Sequence, residues 1–306
     1  MRFQLTDEQR ALRRGVRDLL SGRFDRDRMR ACLRDAAVDR RLWRELGAAG
    51  VFGLRLDGMG LAEAALVFEE AGRALLPGPL VATHLAAGAV DGAAEGETVV
   101  AGCDGTLVDH QADADAVLWL DEGGARVLDP AQLVTVALRS VDPMTPLNRV
   151  TARTAEGRAV PDAARLRQEA VLLTAAQQCG SAGRTLESAV EYAGLRRQFG
   201  RAIGTFQAVK HLCADMLVRV EMARTAVYAA AVTGDPVETA AAKLLADEAA
   251  VRNSRDCLQI FGGMGFTWEA DVHLHMKRAW LLSTRFAREG EIQDALARSL
   301  SAPGIW

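Results

Sequence analysis

Arg196-Arg197-Gln198-Phe199-Gly200, continued by Ile203-Gly204 and Phe206-Gln207, and further on Gln259-Ile260-Phe261-Gly262-Gly263-Met264-Gly265-Phe266, are the two stretches that decide how this chain reads. In the first, a helix runs out near Gly200, a short turn follows, and a new helix opens near Thr205. Backbone N–H groups at a helix opening, with an arginine fork close by, suit a phosphate or pyrophosphate. In the second, glycines stand just past a helix end, where the missing Cβ lets a ligand approach the backbone. Taken singly, each has an ordinary explanation. Arg196 can be a solvated charge, and the glycines a helix C-cap and turn. Their order and spacing carry more than either stretch alone.

Working outward, the surroundings are helical. From about Asp162 onward Ala and Leu dominate. Phe206, Val209, Cys213, Met216, Val220, Ala223 and Val227 form one stripe at steps of three and four. Gly234-Asp235-Pro236 marks a turn, a helix covers residues 237–260, and a last long helix starts near Asp271. This predicts four long helices packed as a bundle over 162–306. Upstream, residues 81–161 carry short β-branched runs: Thr98-Val99-Val100, Ala116 to Leu120, Arg126-Val127-Leu128 and Leu133 to Val136. Gly, Asp and Pro separate them, which is a strand signature. The segment reads as a small, truncated β-rich middle domain with too few strands for a doubly wound sheet. Residues 1–80 are helical again. Thr6 and Gln9 form a capping box ahead of Leu12, Val16, Leu19 and Leu20. Further helices are expected over 40–49 and 61–75, and Pro77-Gly78-Pro79 ends the pattern. The expected fold is therefore mainly α, with a helical N-terminal segment, a small β middle and a C-terminal four-helix bundle.

Composition excludes several classes. The net charge of −3 over 306 residues gives no electrostatic reason to expect nucleic acid or an anionic membrane as partner. No apolar run reaches the ~18 residues of a membrane span, and the charged N-terminus lacks the apolar core of a signal peptide. The five cysteines (Cys32, Cys103, Cys179, Cys213 and Cys257) are scattered, odd in number and without a CxxC pair. Free thiols in a reducing cytoplasm are the expectation. His273 and His275 stand two apart on a helix, facing different ways, so no metal site is expected. No P-loop, GxSxG or Rossmann fingerprint is present.

RRQFG with IGTFQAVKHLCADM, then QIFGGMGFTWE, resembles the C-terminal domain of acyl-CoA dehydrogenases over residues 168–292. The opening LTDEQRALR and the helical–β–helical order agree. The resemblance implies FAD shared across a subunit interface, its pyrophosphate and adenosine part held by Arg196, Gln198, Phe199, Phe206, Gln207, Gln259, Gly262 and Gly263. It also implies an acyl-CoA substrate and a flavoprotein electron acceptor.

The departures matter as much. The family's TEPxxGSD-like and WITN-like segments, which line the flavin ring and the thioester, are absent. The reaction needs a carboxylate to take the α-proton of the thioester. The commonest family position for it falls on Phe286, with Glu289-Gly290 three residues late. A second family position falls on Ala170, with Glu169 one residue off and turned ~100° on a helix. Both glutamates read as solvated helix charges. The resemblance thus implies a short, non-catalytic subunit of a heteromeric bacterial acyl-CoA dehydrogenase, completing the flavin site of a larger catalytic partner in an α2β2 assembly. Two alternatives stay open: a self-sufficient acyl-CoA dehydrogenase using Glu289 or Glu169, and a flavin-free structural paralogue.

Overall fold

The computed structural model describes residues 4–56 and 58–300, the side chain of Leu300 excepted. The chain forms two compact units. Of the described residues, one comprises those within Thr6–Val67 and Leu76–Leu173; the other gathers 4–5, 68–75 and 174–300.

The first unit opens with α1 (Asp7–Arg23), whose capping box is formed as expected: the Thr6 side chain accepts from the Gln9 amide and the Gln9 side chain bonds back to Thr6. Two short helices follow, α2 (Arg26–Ala31) and α3 (Arg40–Ala48), capped by Asp25 and Asp39. α4 (Leu61–Arg73) starts in this unit, and α5 (Leu80–Ala86) is wholly buried. Gly78 turns the chain between α4 and α5 at φ +107°, and a Cβ there would lie 2.5 Å from the buried Trp43 ring. No other residue supplies both that conformation and that closeness.

Seven strands form one sheet in the order β5-β6-β2-β1-β3-β4-β7. They are β1 (Val100–Cys103), β2 (Leu107–Asp109), β3 (Ala116–Asp121), β4 (Gly124–Leu128), β5 (Leu133–Leu138), β6 (Leu147–Arg153) and β7 (Arg158–Val160). β1 and β3 run parallel and the other pairs antiparallel. All of β1 and nearly all of β3 are buried, which is why they read as continuous apolar runs. Ala101, Cys103, Val108, Val117, Trp119, Leu128 and Leu133 make the sheet's apolar core. β2, β6 and β7 escaped the sequence reading, and the first strand starts later than the Thr98-Val99-Val100 run suggested.

The second unit is built on the part of α6 (Ala163–Leu195) from Thr174 onward, α7 (Gln207–Thr233), α8 (Pro236–Phe261), α9 (Val272–Leu282) and α10 (Glu289–Leu300). A two-stranded hairpin, β8 (Arg197–Gln198) with β9 (Arg201–Ala202), interrupts α6 and α7. α7 and α8 are joined as expected: Gly234 adopts the left-handed conformation, Pro236 takes the first helical turn and Asp235 caps the amides of Val237 and Glu238. The buried Asn253 side chain donates to the carbonyls of Ala182 (3.3 Å) and Met216 (3.0 Å), tying α6, α7 and α8 together.

The expected last long helix is in fact two, α9 and α10, and side chains bond the last carbonyls of α9 alongside the closing backbone amides of Ser283, Thr284 and Arg285. Gln178 donates to Ala279 O, Ser283 Oγ to Trp280 O and Thr284 Oγ1 to Leu281 O, at 2.9, 2.9 and 2.8 Å. The fully buried Lys243 ammonium reaches Leu282 O at 3.1 Å. The terminal carbonyls of α9 are thus satisfied at a helix end that has neither Gly nor Pro. No helix among the described residues is long and apolar enough to cross a membrane.

Candidate functional site

The first motif begins where α6 ends. Arg196 N makes a last helical bond to Tyr192 O, and Ile203 N returns to Arg196 O at 2.8 Å. The register Gln198↔Arg201 leaves Phe199-Gly200 as a two-residue turn. Both residues have positive φ, +51° and +78°, as the hairpin turns that match strand twist require. Phe199 is a bulky residue held in a region that glycine prefers, and it is 91% exposed. Its ring meets Phe206 edge-on at 6.1 Å, while the Arg201 guanidinium lies 4.3 Å over the Phe206 ring. Arg196, Gln198 and Gln207 all face outward. Among the described residues no carboxylate pairs with Arg196, Arg197 or Arg201. α7 opens at Phe206 without a side-chain cap, so its first amides are free to meet an anion.

The second motif is joined to the first. The Tyr192 ring stacks on Phe261 at 4.1 Å. Ala193, Met216, Leu258, Ile260 and Val272 form a core against which Tyr192, Ile203 and Phe261 pack. α8 ends at Gly262, with φ +60° and ψ −141°, a combination that L side chains avoid. A Cβ on Gly262 or Gly263 would meet nothing within 4 Å, so the backbone there is open on its outer side, and Gln259 is exposed one turn earlier. All eight expected cofactor residues thus lie at one end of the helical unit. Open glycine backbone, uncapped helix amides and unpaired guanidiniums fit the diphosphate of a dinucleotide. Tyr192 and Arg201 were not singled out from sequence. Their signal was position: Tyr192 one helical turn before Arg196, and Arg201 at the far strand of the hairpin.

The base candidates fare differently. Glu169 is not a solvated charge as expected. It is 4% exposed, with Arg165 Nε at 2.7 Å and Arg55 Nε at 3.0 Å. The reading failed because Arg55 comes from a distant part of the chain. Ala170 beside it is buried and has no proton-accepting group. Glu289 is exposed at the start of α10 and accepts from Gln293 Nε2 at 2.9 Å. Phe286 sits in the turn between α9 and α10 at φ +61°, beside the buried Arg285, whose guanidinium is 5.3 Å from its ring centre.

Histidines and thiols offer no substitute base. His273 and His275 are buried. His275 Nδ1 is 2.8 Å from Ser181 Oγ, and burial pushes its pKa down to about 3. All five cysteines are free, and burial pushes the Cys257 thiol up to about 12. No His, Cys, Asp and Glu cluster among the described residues could hold a metal.

Residues 6–95 match the acyl-CoA dehydrogenase N-terminal domain and residues 157–286 the acyl-CoA dehydrogenase C-terminal domain. Acyl-CoA dehydrogenase IpdE2 of Mycobacterium tuberculosis is 36% identical, over 89% of this chain and 91% of its own length. The ChsE4-ChsE5 complex from Mycobacterium tuberculosis is similar at 25% identity with a TM-score of 0.86, covering 99% of this chain and 100% of that one. A variant of the Tcur3481-Tcur3483 steroid ACAD shares the fold, with a TM-score of 0.86 at 24% identity over 96% and 98% of the two chains. Mainly α architecture, an N-terminal helical segment, a small sheet and a C-terminal bundle are what these relatives and this chain have in common, and the chain belongs to the acyl-CoA dehydrogenase family.

Proposed function

We propose that this chain is the short subunit of a heteromeric, FAD-dependent acyl-CoA dehydrogenase, and that it completes the flavin site of a larger catalytic partner in an α2β2 assembly. The observation that carries the reading is the fate of the carboxylates. Glu169 is buried and already paired with two guanidiniums, those of Arg55 and Arg165. Glu289 stands exposed at a helix start, and the usual base position is the ring of Phe286. The partner therefore supplies the base.

What this chain supplies is grip. Arg196 and Arg201 meet the diphosphate, the amides opening α7 add aligned N–H donors, and Gly262-Gly263 let the cofactor lie against the backbone. Phe199, in contact with Phe206, offers an aromatic face to the adenosine side. When bound, FAD accepts the hydride leaving the acyl β-carbon. The grip and the base turn are also far apart. Gln259 and Lys243, which touch the two sites, are separated along α8 by about 24 Å at 1.5 Å per residue. That is farther than a dinucleotide's diphosphate lies from its own flavin ring, which supports a flavin seated mainly on another subunit.

The names of the similar complexes support a heteromer, and by analogy a bulky acyl-CoA thioester such as a steroid side chain as substrate. A flavoprotein that takes electrons from the bound FAD completes the cycle. The test is flavin absorbance of the chain purified alone and co-expressed with a full-length acyl-CoA dehydrogenase partner. Little flavin alone and fewer flavins than subunits in the complex are expected. Stoichiometric flavin with acyl-CoA turnover by the lone chain would overturn the proposal in favour of a self-sufficient enzyme. A complex that never takes up flavin would favour a structural paralogue.

A further inference from the structure

The seven-stranded sheet ends on two unlike edges. β7 is three residues long, and its Arg158 guanidinium bonds back to Ala89 O. β5 is six residues long, Leu-Val-Thr-Val-Ala-Leu, with no charged residue and no proline. Proteins shorten, charge or bulge their edge strands because a row of free N–H and C=O groups is a template for another strand. β5 carries one such device, a register irregularity between Val134 and Thr135, and otherwise lies open.

The surroundings of that edge have a definite chemistry. Val134 and Val136 are each 49% exposed. Ala152 and Arg149 stand directly opposite them on β6, hence on the same face, and both are exposed. Arg139 follows the strand and is also exposed. Neither Arg139 nor Arg149 has a carboxylate partner among the described residues. An apolar edge about 20 Å long thus has two uncompensated cations toward its C-terminal end. We propose that β5 takes up an extended, acid-flanked segment of a partner polypeptide as an eighth strand. Main-chain bonds supply affinity in such strand addition, and side chains supply selectivity. A second copy of this chain fits less well. A second β5 brings no carboxylate to Arg139 or Arg149, since the strand carries none. The surface belongs to the unit that holds the sheet, and the inference does not rest on the flavin reading.

The test uses the full chain and a labelled, end-blocked peptide of seven residues, valine and threonine alternating between two terminal aspartates, followed by fluorescence anisotropy at low salt. Saturable binding is expected, at least tenfold weaker when lysines replace the aspartates or when alternate peptide nitrogens are methylated. Arg139→Glu with Arg149→Glu should reverse the preference toward the lysine peptide. Val134→Lys with Val136→Lys, both at exposed positions, should abolish binding while the melting temperature holds. Absence of saturable binding, equal binding of the two charge forms, or indifference to methylation overturns the proposal. So does self-association of the chain that Val136→Lys abolishes, because the occupant is then a second copy.

Discussion

In the helical unit, the hairpin-and-glycine end and the turn after α9 treat their polar groups in opposite ways. At the first, Arg196, Gln207 and Gln259 point outward, Gln198 reaches only the carbonyl of its neighbour Arg197, Gly262 and Gly263 leave their outer side empty, and α7 starts uncapped. At the second, the last four carbonyls of α9 are all taken by side chains. Arg285 is buried, and the Arg288 amide donates to Glu291 Oε2 at 3.0 Å. Polar groups left without internal partners at an ordered surface are groups kept for something else. Polar groups consumed internally build structure. The contrast fits the proposed function, in which one end grips the cofactor and the base position at the other has become architecture.

The largest expected effect tests the architectural side through acid. His275 is neutral in the fold because burial, with help from Arg184 and Arg278, pushes its pKa from 6.5 to about 3. The unfolded chain binds that proton near pH 6.5, so between pH 6.5 and about 3 it holds more protons than the native state, and stability falls as pH falls. The total is on the order of 4–5 kcal/mol, with no contribution from this group above pH 6.5. Denaturant melts of the wild type and His275→Gln at pH 7 and pH 4.5 should show the steeper loss in the wild type. Parallel curves would mean that α9 is not the closed element described above.

Lys243 tests the turn itself. Burial pushes its pKa down and that of Asp247 up, while their mutual attraction opposes both. Lys243→Ala leaves Asp247 and Leu282 O without their cation and should cost about 3–5 kcal/mol. Lys243→Met with Asp247→Leu should recover most of it, since a well-packed apolar pair replaces a buried ion pair at little cost. The measurement is urea unfolding of the three proteins. If the single variant is as stable as wild type, the capping of α9 by Lys243 is ornamental.

The open end predicts a smaller effect and a different readout. Arg196→Ala should leave the fold intact, because Arg196 is exposed and has no carboxylate partner among the described residues. It should weaken flavin retention in the assembled complex at least tenfold, the equivalent of about 1.5–3 kcal/mol for a charge-assisted contact to phosphate. Arg196→Lys should recover part of this, since a lysine keeps the charge and loses the planar fork. Unchanged FAD affinity in Arg196→Ala would remove the phosphate role from this end.

The same contrast explains what could be read from sequence. The α7 stripe was legible because Met216, Val220, Ala223 and Val227 repeat at helical spacing and are buried in fact. The Thr6 capping box and the Gly234-Asp235-Pro236 turn were legible because their partners lie within a few residues. α2, α5, β2 and β7 were not, since six, seven, three and three residues are too few to show a period. At the break after Leu282, two of the side chains that bond the last carbonyls, Gln178 and Lys243, come from α6 and α8 and were hidden in the sequence, with Ser283 and Thr284 as the local hint. The Phe199-Gly200 turn was hidden because phenylalanine does not advertise positive φ. Glu169 was misread because its burial depends on Arg55, far away in sequence.

The smallest expected effects concern the two glutamates, and they decide whether the base position is architecture or disguise. Glu169→Gln should cost stability, about 1–3 kcal/mol, because a buried carboxylate that accepts from Arg165 and faces the Arg55 guanidinium loses its charge. Its effect on turnover by the assembled enzyme, at saturating substrate and matched flavin, should stay within twofold. Glu289→Gln should change neither, since the side chain is exposed and its bond to Gln293 joins neighbours on one solvated helix face. A true general base contributes ~10²–10⁴ in rate, so the two outcomes cannot be confused. For Glu289 to be that base, the turn holding Phe286 would have to rearrange and bring the carboxylate inward past Arg285 and Arg288, which would pair with it and lower its basicity. For Glu169, the carboxylate would have to leave both Arg55 and Arg165, depriving the part-buried Arg55 guanidinium of its carboxylate. A hundredfold fall in kcat in either variant would show that one of these rearrangements happens in the complex, and the chain would then be a catalytic subunit.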